Sequence, residues 1–161
     1  MADAPGPLTA LTPALAETVA GWVHSPAEVM LFAGPTLSYP LTADALLAAA
    51  AQQRRLVRLL LDDGHPVAFG SLQFLEDHAR LGWVLTDPAR RGQGWGRRIV
   101  TALLELARAQ SPAPRINLGV YEHNVAARGL YADLGFVEVG ERSSRQVESE
   151  HWVNLTLERP L

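Results

Sequence analysis

Residues 87–98 read Asp87-Pro88-Ala89-Arg90-Arg91-Gly92-Gln93-Gly94-Trp95-Gly96-Arg97-Arg98, with three glycines at alternate positions among four arginines. Glycines so spaced leave backbone N–H groups unshielded, and a helix starting behind them adds the positive end of its dipole. The chemistry this suits is the binding of a pyrophosphate. Arginines in a first helical turn oppose that dipole unless an anion sits there, which again points to a ligand. A dinucleotide fingerprint starting at Gly92 or Gly94 needs a small residue where Arg97 or Ile99 stands, so nicotinamide-type binding is disfavoured. An ordinary glycine-rich turn with solvated arginines is the plainer reading of the same residues.

A second constellation spans residues 120–136. Asn124 suits a helix cap, and Gly135 suits the left-handed residue that ends a helix. Ala127, Leu130 and Leu134 form one apolar stripe. Tyr131 lies about 100° round the helix from Leu130, so its hydroxyl leaves that stripe. Taken alone, such a tyrosine also fits a half-buried core position with its hydroxyl satisfied.

The elements that must position these residues follow from hydrophobic period and turn signals. A short strand is expected at 8–11 and helices at 14–23, after Ser25-Pro26, and at 43–53 behind the cap Thr42. Strands at 55–61, 67–74 and 79–86 make an antiparallel meander through turns at 62–66 and 76–78. A long amphipathic helix at 95–110 and a strand at 116–121 then form a crossover. A helix at 125–134 and two strands near 136–141 and 152–158 complete a mixed α+β order.

Composition narrows the chemistry. With 161 residues, 48% hydrophobic and 19% charged, the chain fits one compact domain over 1–161. It has no cysteine, which removes disulfides, thiolate metal sites and cysteine nucleophiles. All 14 basic residues are arginine, so a P-loop lysine and a Schiff-base lysine are impossible. The five histidines show no metal-ligand spacing, and no metal is expected. A formal charge of −3 gives no global field toward nucleic acid or an anionic membrane. The opening Met-Ala-Asp-Ala-Pro does not read as a leader, and no apolar run reaches membrane-spanning length, so a cytoplasmic protein is expected.

Both constellations resemble the GNAT superfamily of acyl-CoA-dependent N-acyltransferases. Arg91-Gly92-Gln93-Gly94-Trp95-Gly96 matches the pattern Gln/Arg-x-x-Gly-x-Gly/Ala, and 124–136 matches Asn-x-x-Ala-x-x-Leu-Tyr-x-x-x-Gly-Phe at every defined position. The resemblance is specific over 84–136 and generic before 60 and after 140. It implies a GNAT-like fold with helices flanking a mostly antiparallel, twisted sheet of about six to seven strands. Its β-α-β crossover carries the coenzyme A site. It implies that the backbone of Arg91, Gly92, Gln93, Gly94, Trp95 and Gly96 holds the coenzyme A pyrophosphate, with Arg97 among the cofactor-binding residues. Val84, Leu85 and Thr86 would pair with the pantetheine arm like an added strand. Asn124 would touch the pantetheine or order the site, and Tyr131 would stand beside the thioester sulfur. Related proteins often dimerise, which leaves a homodimer open.

The implied reaction is direct transfer of an acetyl group from acetyl-CoA to a primary amine, of a small molecule or of a protein or peptide, in a ternary complex. An alkylamine with pKa near 10.4 is only about one part in a thousand neutral at pH 7, so a base or a water chain matters. An unpaired backbone N–H at the end of 84–86 could polarise the carbonyl, a donor worth about 10²–10³ in rate. Tyr131, with an ordinary pKa of about 10 against roughly 8.5 for a thiol, is the candidate proton donor to sulfur. In some GNAT subfamilies a Glu stands five residues before the motif Asn; here that position is Gly119. Candidate bases are then Glu122, Glu150, His151 or water, with Glu76 and Asp77 further off. Trp22, Met30, Phe32, Tyr39 and Trp83 could line an acceptor pocket or simply belong to the core. Glu148 and Glu150 would suit a cationic acceptor. The alternatives are a non-catalytic acyl-CoA sensor or interaction module, and a phosphate- or nucleic-acid-binding domain, which the charge disfavours.

Overall fold

The computed structural model describes residues 6–161; residues 1–5, and with them the reading of the opening as no leader, lie outside the described residues. Strands β1 (Thr9–Ala10), β2 (Leu56–Asp62), β3 (His65–Phe74), β4 (Ala79–Thr86), β5 (Arg115–Tyr121), β6 (Val137–Val147) and β7 (Glu150–Pro160) form one sheet. Its order is β1-β2-β3-β4-β5-β7-β6. Helices α1 (Pro13–Ala20), α2 (Pro26–Ala33) and α3 (Ala43–Gln52) precede the meander, and α4 (Trp95–Gln110) and α5 (Val125–Asp133) follow it. Every neighbouring pair is antiparallel except β4 and β5, which α4 joins as a crossover. Among the described residues no helix is long and apolar enough to cross a membrane.

The helix starts follow from local chemistry. Thr12, Ser25 and Thr42 each accept a backbone N–H three residues on, from Leu15, Glu28 and Ala45. Pro13 and Pro26 occupy first-turn positions, where no N–H is missed. The expected elements reappear with ends shifted by a few residues, except at the C-terminal hairpin. There β6 runs through to Val147, well past the strand end expected near 141, while β7 starts at Glu150, close to its expected start. Residues 142–146 are polar and exposed, so no apolar alternation marks them; pairing to β7 makes them a strand.

The sheet carries a core on each face. On one, α4 sets Ile99, Leu103 and Ala107 against Leu72, Leu81, Ile116 and Leu118. On the other, α1–α3 close over Leu59, Phe69 and Trp83 with Val19, Trp22 and Leu46. Gly70 allows α4 to approach β3: a Cβ there would lie 2.7 Å from Leu103 Cδ1.

The sheet is divided at its centre. β4 and β5 share only Ala79↔Ile116 and Arg80↔Asn117, and beyond these rungs they separate. The β3–β4 register slips between Phe69 and Ser71, and Trp83 sits at φ +55°, a left-handed conformation unusual for a bulky side chain. Packing holds it. Trp83 stacks on Phe69 at 6.5 Å and takes the Arg55 guanidinium over its ring at 4.4 Å, while its Nε1 donates to Thr36 Oγ1.

Leu103 is fully buried and Leu75 is exposed. Leu103→Ala should therefore lower the unfolding free energy by about 2–5 kcal/mol in urea titration, against about 0.5 kcal/mol or less for Leu75→Ala.

Candidate active site

Two adjoining cavities open where β4 and β5 part. The first, about 590 Å³, is walled by Val84, Leu85 and Thr86 of β4, by Arg90, Arg91, Gly92, Gly94, Trp95 and Gly96 of the turn, and by Asn124, Ala127 and Leu130 of α5. The second, about 470 Å³, lies between the separated strands under α2 and contains Tyr131. Leu31, Phe32, Val84, Asn124, Ala127 and Leu130 line both, so the two spaces meet there, and Tyr131 follows Leu130 in the wall of the second.

Conformation explains the glycines of the turn. Gly92 and Gly94 have φ of +76° and +85°, while a Cβ at either would meet nothing within 4 Å. Gly94 caps α4 without a side-chain acceptor for the first-turn N–H groups. Those donors, at the positive end of a 16-residue helix, fit an anionic diphosphate. Gly96 differs: its Cβ would stand 3.6 Å from Leu130 Cδ2, an ordinary contact that alanine satisfies.

The arginines divide. Arg90 and Arg91 line the first cavity, Arg90 with its Nη1 on Asp62 at 2.6 Å. Arg97 pairs with Asp133 at 2.7 Å, and Arg98 lies over the Trp95 ring at 4.7 Å. Neither Arg97 nor the exposed Gln93 lines a cavity. Asn124 Oδ1 accepts the Ala127 N–H at 3.3 Å and so caps α5, which leaves its side-chain nitrogen as the donor toward a ligand.

Tyr131 packs edge-on against Phe136 at 5.7 Å and is 7% exposed. Burial drives its phenol pKa far above the ordinary value, so the hydroxyl stays protonated and can donate a hydrogen bond.

The candidate bases lie elsewhere. Glu122 pairs with Arg142 at 2.9 Å, Glu150 accepts from Trp152 Nε1 at 3.1 Å, and His151 is exposed on the hairpin. Asp77 is tied to Arg115 and His78 in the exposed β3–β4 turn, beside Glu76. Glu148 stands at the β6–β7 turn. None of these lines either cavity. Glu28 does line the first, but its carboxylate holds the His24 N–H at the start of α2. Of the five proposed acceptor-pocket residues, Phe32 and Trp83 line the second cavity. Trp22 belongs to the core, Met30 packs with Tyr121 and Trp152, and Tyr39 is exposed.

The second cavity also contains Arg55, Arg80, Arg145, Asn154 and Tyr121, which sequence reasoning missed. Burial raises the Tyr121 phenol pKa, and the Arg145 guanidinium opposes that rise. The available signal was Gly82 and Gly119, two glycines inside strands.

Stability at high pH should report the Tyr131 environment. The unfolded chain loses this proton near pH 10, whereas the native state keeps it, so the Tyr131 contribution is intact below pH 10 and falls as pH rises further, by up to about 1.4 kcal/mol per pH unit. Denaturant titrations between pH 9 and pH 11, as about a two-unit window, should show a steeper loss for the wild type than for Tyr131→Phe.

Comparison with known proteins bears on the same features. A 78-residue stretch is 32% identical to the [ribosomal protein bS18]-alanine N-acetyltransferase of Haemophilus ducreyi, covering 48% of this chain and 53% of that one. The chain thus spans about half or less of the length of the curated relatives it matches. Two solved structures share the fold. The Salmonella typhimurium protein solved with its cofactor acetyl-CoA has a TM-score of 0.76 at 16% identity, covering 96% of this chain and 92% of that one. The spermidine N-acetyltransferase of Vibrio cholerae, solved with CoA and spermine, gives 0.78 at 16% identity, covering 96% and 94%. The model of the acetyltransferase (GNAT) family matches residues 20–136, a stretch containing both cavity-lining motifs, and the chain belongs to that family.

Proposed function

We propose that the chain is a cytoplasmic N-acetyltransferase that moves an acetyl group from acetyl-CoA to a primary amine by direct transfer in a ternary complex. One observation carries this reading: the glycine turn and the parted strand β4 line one cavity, and that cavity shares a wall with a second that contains Tyr131.

On this reading the first-turn N–H groups of α4 and Arg91 hold the diphosphate of coenzyme A. The free edge of Val84, Leu85 and Thr86 pairs with the pantetheine arm, and Asn124 donates to it from its side-chain nitrogen. Bound acetyl-CoA supplies an activated thioester at the junction. A β4 backbone N–H polarises the carbonyl while the amine nitrogen forms its bond to the carbonyl carbon. The carbon–sulfur bond breaks with its electron pair leaving on sulfur; the Tyr131 hydroxyl donates a hydrogen bond to that sulfur, which takes up, through water, the proton the amine loses. Water in the second cavity takes the amine's proton, since among the described residues no carboxylate or imidazole lines that cavity. No step calls on a metal, nucleic acid or membrane, and a homodimer is compatible with it. The H. ducreyi relative's name specifies a protein amino group, while the V. cholerae enzyme's names a polyamine. The acceptor here is a primary amine of a small molecule or of a protein or peptide.

The lack of a lining carboxylate or imidazole in the second cavity also favours a second reading, an acyl-CoA-binding module without turnover. Thiol release from acetyl-CoA across a panel of amines separates the two: coenzyme A binding with no release beyond hydrolysis supports the module.

Coenzyme A should protect the protein from thermal unfolding where NAD and ATP do not, and the absence of any shift at millimolar ligand would overturn both readings. Gly94→Val should abolish that protection because valine resists φ +85°, whereas Gly96→Ala should preserve it. Tyr131→Phe should lower turnover about 10²-fold or more with little change in coenzyme A affinity. Equal turnover would remove Tyr131 from the chemistry.

A further inference from the structure

Three guanidinium groups, Arg55, Arg80 and Arg145, line the second cavity, and among the described residues no Asp or Glu does. No salt bridge joins any of the three to a carboxylate among the described residues. Their partners are neutral. Arg55 donates to Gln53 Oε1 at 2.8 Å and Ser71 Oγ at 3.2 Å, and Arg80 donates to Asn117 Oδ1 at 3.1 Å.

Two strand glycines make room for this charge. A Cβ at Gly82 would lie 2.8 Å from Arg55 Nη1, and one at Gly119 would lie 3.2 Å from both Arg80 Nη2 and Asn154 Oδ1. Neither glycine has a positive φ, so backbone conformation does not call for glycine at these positions. Guanidinium groups occupy the space that side chains would fill.

Burial lowers the Arg55 pKa to about 10, with the Arg80 charge acting in the same direction, and burial lowers the Arg80 pKa as well. Adjacent like charges, partly desolvated and without a counter-charge, are a costly arrangement for a protein to keep. An oxyanion entering the cavity relieves that cost, and planar guanidinium forks match its geometry.

We propose that the acceptor is a small molecule carrying both a primary amine and an oxyanion, either a carboxylate or a phosphorus oxyacid. Arg80 and Arg55 hold the oxyanion near Gly119 and Gly82, Arg145 closes over it from β6, and the amino group faces the junction beside Tyr131. Naming this molecule as the acceptor rests on the transferase reading above; the oxyanion site itself does not. The arrangement disfavours polyamines, whose charge the three arginines repel.

Calorimetric binding to the coenzyme A-loaded protein tests the site without relying on turnover. The probes are glycine and the L-amino acids that carry a primary amine, their carboxamides, 2-aminoethylphosphonate, ethanolamine and spermidine. At least one amino acid or the phosphonate should bind ten or more times tighter than its counterpart without the oxyanion, a carboxamide or ethanolamine respectively. A preference for the amino acid or for the phosphonate identifies the oxyanion. Arg80→Met should erase the difference while thermal protection by coenzyme A, which reports the fold, persists. Gly119→Glu offers a second check, because its carboxylate reaches the Arg80 guanidinium from within and should exclude the oxyanion. Carboxamides or spermidine binding as tightly as every oxyanion probe, or Gly119→Glu retaining wild-type oxyanion affinity, would overturn the proposal. Turnover of those amines would leave the transferase reading standing.

Discussion

The parting of β4 and β5 is the constraint on which the rest depends. A sheet interior normally leaves no space between neighbours, because each strand takes up the next one's N–H and C=O groups. Here two parallel rungs hold the strands together, and the slip at Trp83 then turns β4 away. Trp83 can stay at positive φ because Phe69, Arg55 and Thr36 fix its ring from three directions. The parted edge of β4 faces a cavity instead of a strand, so an extended ligand can complete the ladder there. Both cavities, their shared wall and the arginine site all follow from that local departure from regular pairing.

Glycine serves three physically different ends around this opening. Gly92 and Gly94 supply a left-handed backbone that presents N–H groups, and an added side chain there would meet no neighbour. Gly70 permits the close approach of α4 to β3, which seats the helix whose N-terminus faces the first cavity. Gly82 and Gly119 give up side-chain volume to charged neighbours. The two cavities thus attract negative groups by different means, backbone dipoles with arginines on one side and guanidinium ions on the other.

The element order and the first cavity were legible in the sequence because their signals are local. Alternating glycines, the cap at Asn124, the helical stripe of Ala127, Leu130 and Leu134, and the capping residues Thr12, Ser25 and Thr42 each act within a few residues. What was not legible depends on contacts distant in sequence. Arg80 meets Gly119 across the splay, Arg55 reaches Gly82 from β2, and Arg145 arrives from a hairpin whose polar strand lacks any period-two pattern. Arg97 illustrates the converse: its sequence position suits an anion, but Asp133 at the end of α5 supplies the partner. The expectation of an acidic acceptor site rested on Glu148 and Glu150 being near in sequence to the last strands. The hairpin carries both to its tip, away from the opening.

The absence of a lining carboxylate changes how protons are managed in the proposed reaction. Burial near Leu31, Phe32, Val84 and Trp83 disfavours an ammonium ion, and so does positive charge from guanidinium groups that a single oxyanion only partly offsets. Both effects lower the acceptor's amine pKa, so a larger share of bound amine is already neutral and a water chain suffices to carry its proton. The same burial raises the Tyr131 pKa and keeps that hydroxyl protonated for the departing sulfur. One low-dielectric junction therefore favours the neutral form of both groups, the amine as nucleophile and the phenol as hydrogen-bond donor to the departing sulfur, and no strongly basic side chain is needed between them.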